Sequence, residues 1–176
     1  MAIAVLGGGC FWCLEAVYDR LAGVTAVESG YMGGRVENPT YQQVCGGNSG
    51  HVEVIRVTFE PQQISFADLL EVFFATHDPT TLNRQGNDVG DQYRSVIFYE
   101  SEEQKKEAEK AIAELNAKHV WSNPIVTAVK PAQRFYVAED YHQTYYANNA
   151  SEPYCQLVVG PKVKKFEKAF AMRMKT

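Results

Sequence analysis

Two cysteines, Cys10 and Cys13, enclose Phe11 and Trp12 directly after Gly7-Gly8-Gly9. An apolar run precedes the glycines and apolar residues at helical spacing follow them, so the spacing puts the first thiol at a helix N-terminus. A thiol there is expected to lose its proton easily, because free backbone N–H groups and the helix dipole favour the thiolate, which is the attacking form. The two rings predict a target that is small or partly apolar. A C-x-x-C pair fits three chemistries: a dithiol redox pair, half of a zinc site, or a nucleophile with a second thiol beside it. The Phe-Trp spacer and the glycine triplet are not the thioredoxin pattern, and no second C-x-x-C or paired histidines complete a zinc site. The nucleophile reading fits the helix-start placement best. The glycines lack the lysine and the spacing of phosphate-binding loops, so they either let backbone crowd around the thiol or make a tight turn.

Other residues carry chemistry only in combination. Glu53 is a carboxylate among apolar residues on one face of a strand. Buried, it would stay protonated near neutral pH and serve as a general acid; at a sheet edge it would be a solvated glutamate. Tyr41 and Tyr93 each read as packing residues with a hydroxyl at the surface, and Asp88 as a turn former. His142, amid Tyr141, Tyr145 and Tyr146, either packs or orients a polar partner. The remaining cysteines are Cys45, in a glycine loop, and Cys155.

The elements that must position these groups are legible from periodicity. Residues 2–6 predict a buried strand, and Cys10 to about Leu21 a helix ended by Gly23. Val24–Tyr31 predicts a second strand. In 51–59, Val52, Val54, Arg56 and Thr58 alternate with Glu53, Ile55, Val57 and Phe59, a two-faced strand. Ser65 caps a helix to about Thr76, and Ser101 one to about Lys118. Further strands are expected at 93–99, 125–129 and 135–137, with helices at 139–148 and 161–172. Val163, Phe166 and Phe170 face inward on the last helix, and Lys162, Lys164, Lys165 and Lys168 form its wet face. Hairpin-length gaps between strands favour an α+β domain with a mixed sheet over a doubly wound one.

The chain has 176 residues, 45% hydrophobic and 22% charged, with formal net charge −4. That size and composition predict one globular domain, and the charge argues against general nucleic-acid binding. No run approaches about 20 apolar residues, so no membrane span is expected, and without a basic leader the expected location is cytoplasmic. In a reducing compartment four cysteines point to catalysis, a transient disulfide or metal, not to structural staples.

Taken in order, Gly9-Cys10-Phe11-Trp12, Gly30-Tyr31, Asn38-Pro39-Thr40-Tyr41, Gly50-His51-Val52-Glu53, His77-Asp78-Pro79, Arg84-Gln85-Gly86-Asn87-Asp88, Gln92-Tyr93-Arg94-Ser95 and Ala138-Glu139-Asp140-Tyr141-His142-Gln143 resemble the peptide methionine sulfoxide reductases of the A class, over roughly residues 3–155. The resemblance implies a two-layer α+β sandwich with a mixed sheet and a ferredoxin-like core, forming a single catalytic domain and a monomer. It implies reduction of S-methionine sulfoxide, free or in proteins, through a Cys10 sulfenic acid and an intramolecular disulfide, recycled by a thioredoxin-like reductant without metal or organic cofactor. Cys10 would be the nucleophile and Glu53 the acid, with Tyr41, Tyr93 and Asp88 on the polar side. Phe11, Trp12 and His142 would receive the substrate. Many relatives have glycine at the position of Cys13, and Cys155 matches their recycling cysteine. A lysine-rich helix follows Cys155 where they have a flexible tail. Cys155 is the expected first resolver, with Cys13 the other candidate and Cys45 a bystander or relay.

Overall fold

The computed structural model describes residues 1–174 apart from Asn48 and Asn87, and of Met172 the backbone alone. Asn87, part of one of the stretches quoted above, thus lies outside the described residues. The chain starts with β1 (Ala2–Gly7), α1 (Phe11–Tyr18) and β2 (Val24–Met32), then α2 (Tyr41–Cys45), β3 (Val52–Phe59) and α3 (Phe66–Thr76). A small hairpin, β4 (Arg84–Gln85) with β5 (Asp88–Val89), precedes β6 (Val96–Tyr99), α4 (Glu102–Ala117), β7 (Ala128–Pro131) and β8 (Tyr136–Val137). α5 (Tyr145–Asn149), a π-helical turn (Cys155–Val159) and α6 (Gly160–Ala169) complete the fold.

The six-stranded sheet runs β7-β6-β1-β3-β2-β8. All neighbours are antiparallel except β6 and β7, so the sheet is mixed as expected. Its centre, β6-β1-β3-β2 with α1 and α3 as the two crossovers, is the ferredoxin-like order. The two-residue period of β3 sorts its side chains as the sequence predicts. Ile55, Val57 and Phe59 join the core with α1 and α3, whereas Val52 and Val54 pack with Val5, Met32, Val96 and Phe98 on the opposite face. Phe11, Leu14, Val17 and Tyr18 bury the inner face of α1. The Tyr18 hydroxyl donates to the Leu69 carbonyl at 2.7 Å, joining α1 to α3 through a buried hydrogen bond worth about 1 kcal/mol net.

The elements depart from the expected order at several places: the first helix ends at Tyr18 and not near Leu21, and the strand expected over 125–129 runs over Ala128–Pro131. The helix expected over 139–148 is broken: a 3-10 turn covers Asp140–His142, and Thr144 adopts a left-handed conformation (φ 50°) before α5. Tyr93 lies in a 3-10 turn, and its strand starts only at Val96. α2 was not predicted, although Thr40 and Gln43 form a capping box that is visible as T-x-x-Q in the sequence.

Candidate active site

The ends of β1 and β2 and the start of β3 meet beneath the first turn of α1. Glu53 stands there opposite Tyr31 in register, on the helix-covered face of a central strand, and is 1% exposed. This removes the solvated-edge alternative. The Phe11 N–H donates to its Oε1 at 3.2 Å, while Oε2 has no partner among the described residues. Burial raises its pKa to about 8 against the pull of the Phe11 N–H, with the Asp88 and Cys13 charges adding to the rise. The acid is therefore protonated at neutral pH, with one oxygen free.

Two phenols share this polar side. Burial first, then the Glu53 charge, pushes both Tyr41 and Tyr93 above the ordinary phenol range, so each remains an O–H donor. Tyr93 also feels the charges of Cys10 and Asp88, and its carbonyl accepts the Gly9 N–H at 3.2 Å, holding the residue before Cys10. Gly9 itself has φ 88°, and a Cβ there would lie 2.8 Å from Gln85 Cγ. The triplet thus does admit close backbone packing beside the thiol. The Tyr41 hydroxyl donates to the sulfur of exposed Cys45, one turn further along α2.

Cys10 is the N-cap of α1, with extended backbone (φ −66°, ψ 129°) and no side-chain cap hydrogen bond. Its sulfur leaves the helix path and meets Cys13 in the first turn. Burial pushes the Cys10 thiol well up, and so does donating its hydrogen to Cys13; the Trp12 N–H acts in the opposite sense. Receiving that hydrogen bond lowers Cys13, helped against burial by Lys162 and Tyr154. The expectation of a readily ionised Cys10 is therefore not met in the resting site. The Phe11 amide that would have served it is turned to Glu53, and the negative charge favours Cys13. Cys155 is fully buried on the π turn, close enough to Cys13 for their charges to interact.

An aromatic cluster closes the opposite side. Phe11 is wholly buried against the rings of Tyr31 and His142. The Trp12 indole N–H donates to His142 Nδ1 at 3.0 Å, and its ring stacks on Tyr145 with centroids 3.8 Å apart. An indole only donates, so His142 carries its proton on Nε2, which has no partner among the described residues. Burial lowers the His142 pKa, keeping it neutral. Asp88 lies on the far flank, accepting the Tyr154 hydroxyl at 2.5 Å.

Beside this flank runs an open groove of about 840 Å³, lined by His77, Asp88, Tyr154, Lys162, Phe166 and Phe170 among others. It borders the Cys13 side of the site. Of the lysines expected on the wet face of the last helix, Lys164, Lys165 and Lys168 are exposed, and Lys162, half-buried, lines this groove together with Lys165. Among the described residues no group of three His, Cys, Asp or Glu side chains is placed to hold a metal ion, and no helix is long and apolar enough to cross a membrane.

Several contributors escaped the sequence reading. Tyr31 donates to Glu139 Oε1 at 3.0 Å, and the Tyr41 N–H reaches the other oxygen at the same distance. Tyr154 contacts Cys13 and Asp88 together. Glu15, on the buried face of α1, is 3% exposed, and burial raises its pKa to about 7. Tyr31 and Glu139 had a signal, since each belongs to one of the quoted stretches; an acidic residue inside an apolar helix face was the unread signal for Glu15.

Comparison with known proteins bears on this arrangement. The family model for peptide methionine sulfoxide reductase matches residues 2–174. The peptide methionine sulfoxide reductase MsrA of Chromobacterium violaceum is 56% identical over 171 residues, covering 97% of each chain. That of Saccharolobus solfataricus is 54% identical over 175 residues, covering 99% of this chain and 98% of the relative. Among solved structures, reduced Mxr1 from Saccharomyces cerevisiae has 37% identity and TM-score 0.80, covering 88% of each chain. Mxr1 in complex with Trx2 has 28% identity and TM-score 0.56, covering 82% of this chain and 84% of that one. The chain belongs to the peptide methionine sulfoxide reductase family, A class, and is an enzyme of that activity.

Proposed function

We propose that this single catalytic domain reduces the S epimer of methionine sulfoxide, free or in proteins, with Cys10 as nucleophile and Glu53 as acid. The observation that carries the reading is the buried, protonated Glu53 with an unpartnered Oε2 at the start of the helix that bears Cys10. Sulfoxide oxygen leaves poorly until protonated, so the acid must face the attacking sulfur. Tyr41 and Tyr93 add O–H donors to the oxygen, and Asp88 keeps that flank polar. Phe11 and Trp12, held by His142, line the slot for the methyl group. A methyl slot on one side and donors on the other distinguish the two epimers of the sulfur.

As Cys10 attacks the sulfur, its proton passes along the hydrogen bond to Cys13. Glu53 protonates the oxygen, and the exchange leaves the thioether and a Cys10 sulfenic acid. A second thiol condenses with that acid to a disulfide, releasing water. We place Cys13 first, revising the expectation of Cys155, because Cys13 already touches Cys10 and the extended N-cap backbone of Cys10 favours pairing. Cys155, buried beside Cys13, then accepts the disulfide by exchange. A thioredoxin-like dithiol reduces it, a step supported by the solved Mxr1–Trx2 complex. Thiols carry the electrons and carboxyl and thiol the protons, so the chemistry requires no metal or organic cofactor. A monomer in a reducing, cytoplasmic setting suits this cycle.

The test is single turnover with separated S and R epimers and no reductant, with thiols counted by mass spectrometry. Methionine from the S epimer alone is expected. Cys13→Ser should accumulate the sulfenic acid, while Cys155→Ser should still form a disulfide. Rapid disulfide formation in Cys13→Ser would return Cys155 to first place, and methionine from neither epimer would end the reading.

A further inference from the structure

The catalytic cycle leaves one buried carboxyl group on the nucleophile's own helix unused. Glu15 projects from α1 one turn beyond Trp12, and its carboxylate accepts from the Ser29 hydroxyl at 3.3 Å and from the backbone N–H groups of Thr144 and Tyr145. These two amides begin α5, where a helix normally finds its cap in its own side chains. Here Thr144 does not supply it: its residue is left-handed, and its hydroxyl donates to the Gln143 carbonyl at 2.7 Å. The cap comes from Glu15, more than a hundred residues earlier in the chain.

The same segment is pinned beside it. The Gln143 amide accepts the Ser29 N–H at 2.9 Å and donates to the Ser29 carbonyl at 2.9 Å and the Ala138 carbonyl at 3.1 Å. Residues 142–145 thereby form a strap fixed to β2 and α1. The strap carries both partners of the Trp12 indole, the His142 nitrogen and the stacked Tyr145 ring. Glu15 and Trp12 leave the same helix, so the strap closes a ring: helix, carboxylate, strap, indole.

We propose that Glu15 is a positioning residue that clamps the 142–145 strap onto Trp12 and so sets the wall of the methyl slot. The proposal rests on the reading of Trp12 as substrate wall, but its first consequence, the immobilised indole, does not. Without the carboxylate the N–H groups of Thr144 and Tyr145 lose their acceptor, the turn at Thr144 relaxes, and Tyr145 and His142 release the indole.

The experiment uses the full chain carrying Trp121→Phe, which leaves Trp12 as the sole tryptophan. Glu15→Ala should shift Trp12 emission to the red and raise its acrylamide quenching about twofold, with far-UV circular dichroism unchanged. The half-saturating concentration of the S epimer should rise about tenfold while the saturating single-turnover rate stays within about threefold, the pattern of lost binding rather than lost chemistry. Glu15→Gln, which keeps one acceptor, should fall between. Gln143→Ala loosens the strap from its other side and should move the same signals in the same direction, even should Glu15→Ala not fold. Unchanged Trp12 emission and quenching in a folded Glu15→Ala or Gln143→Ala protein would overturn the clamp. A shifted Trp12 signal with unchanged half-saturation would support the clamp while removing Trp12 from the substrate wall.

Discussion

Glu53 and Cys155, to which the proposed cycle gives different steps, stand on unlike supports. Glu53 stands on β3, which pairs with β1 on one side and β2 on the other, so its backbone is held by two ladders and its neighbours by the main core. Cys155 stands on a π turn that runs directly into α6, outside the sheet and without strand ladders on either side. The contrast suits the chemistry proposed for each. An acid must hold its position against the substrate oxygen to within a fraction of an ångström, which a central strand provides. A thiol that is fully buried yet must take over a disulfide has to move, and a helical turn at the edge of the fold opens more easily than a central strand. Cys10 and Cys13 lie between these extremes, on a helix whose first turn is shared between the two functions.

The sharpest break of this contrast is Glu53→Gln, which keeps the shape and removes the proton. Its single-turnover rate should fall by about 10²–10⁴, the usual worth of a general acid, with the fold intact. A rate equal to wild type would show that the sheet side holds no acid.

Removing the anchor of the mobile side comes next. Phe166 on α6 is 1% exposed and packs in the main core. Phe166→Ala should cost about 3–5 kcal/mol, felt mainly as faster hydrogen exchange and proteolysis after residue 150. The first turnover should survive while recycling by a dithiol slows. Equal loss of protection in β3 would mean that the two supports unfold as one unit.

The pH dependence sharpens the contrast from the sheet side. Glu53 has its folded-state pKa raised to about 8 from the ordinary carboxyl value of 4.5. The folded state then binds more protons than the unfolded one between those values, so stability falls as pH rises through that window. The fall from this group is roughly 5 kcal/mol at most. Wild type should lose stability from pH 5 to 8, and Glu53→Gln should lose less; a remainder is expected because Glu15, at about 7, acts with the same sign. Parallel melting curves for the two proteins across that range would show that Glu53 is not held protonated. The single-turnover rate should likewise decline as pH rises through about 8.

The smallest effect belongs to the surface tie between α3 and the C-terminal segment. Arg173 pairs with Asp68 at 2.9 Å and Glu71 at 3.3 Å, with all three side chains partly exposed. Arg173→Ala should change stability by less than about 1 kcal/mol, and less still in high salt. A larger loss would make this ion pair a real anchor of the mobile side.

The features that sequence made legible are those with a short period or a local cause. The alternation of β3 assigned Glu53 to the face shared with Ile55 and Val57. The glycine triplet and the apolar spacing of Phe11, Leu14 and Val17 placed Cys10 at the start of a helix. Ser65 and Ser101 marked helix starts by side chains that reach amides three residues on. Each of these is decided within a few residues, where backbone geometry and local hydrogen bonds dominate.

What the tertiary structure decided involves partners far apart in the chain. The burial of Glu53 depended on β3 becoming a central strand, which the alternation by itself leaves open. The charge preference of Cys13 over Cys10 arises because burial disfavours the Cys10 thiolate and its hydrogen is given to Cys13, with the charge of Glu53, from a distant strand, adding to the effect. The break at Thr144 arises because Glu15 and Ser29 claim backbone and side-chain groups that a continuous helix over 139–148 would have kept to itself. Periodicity records which face of an element is apolar; it carries no record of which distant carboxylate satisfies a given amide. The residue types of the site were therefore written in the sequence, and their protonation, pairing and mobility were set only by the packing that brought them together.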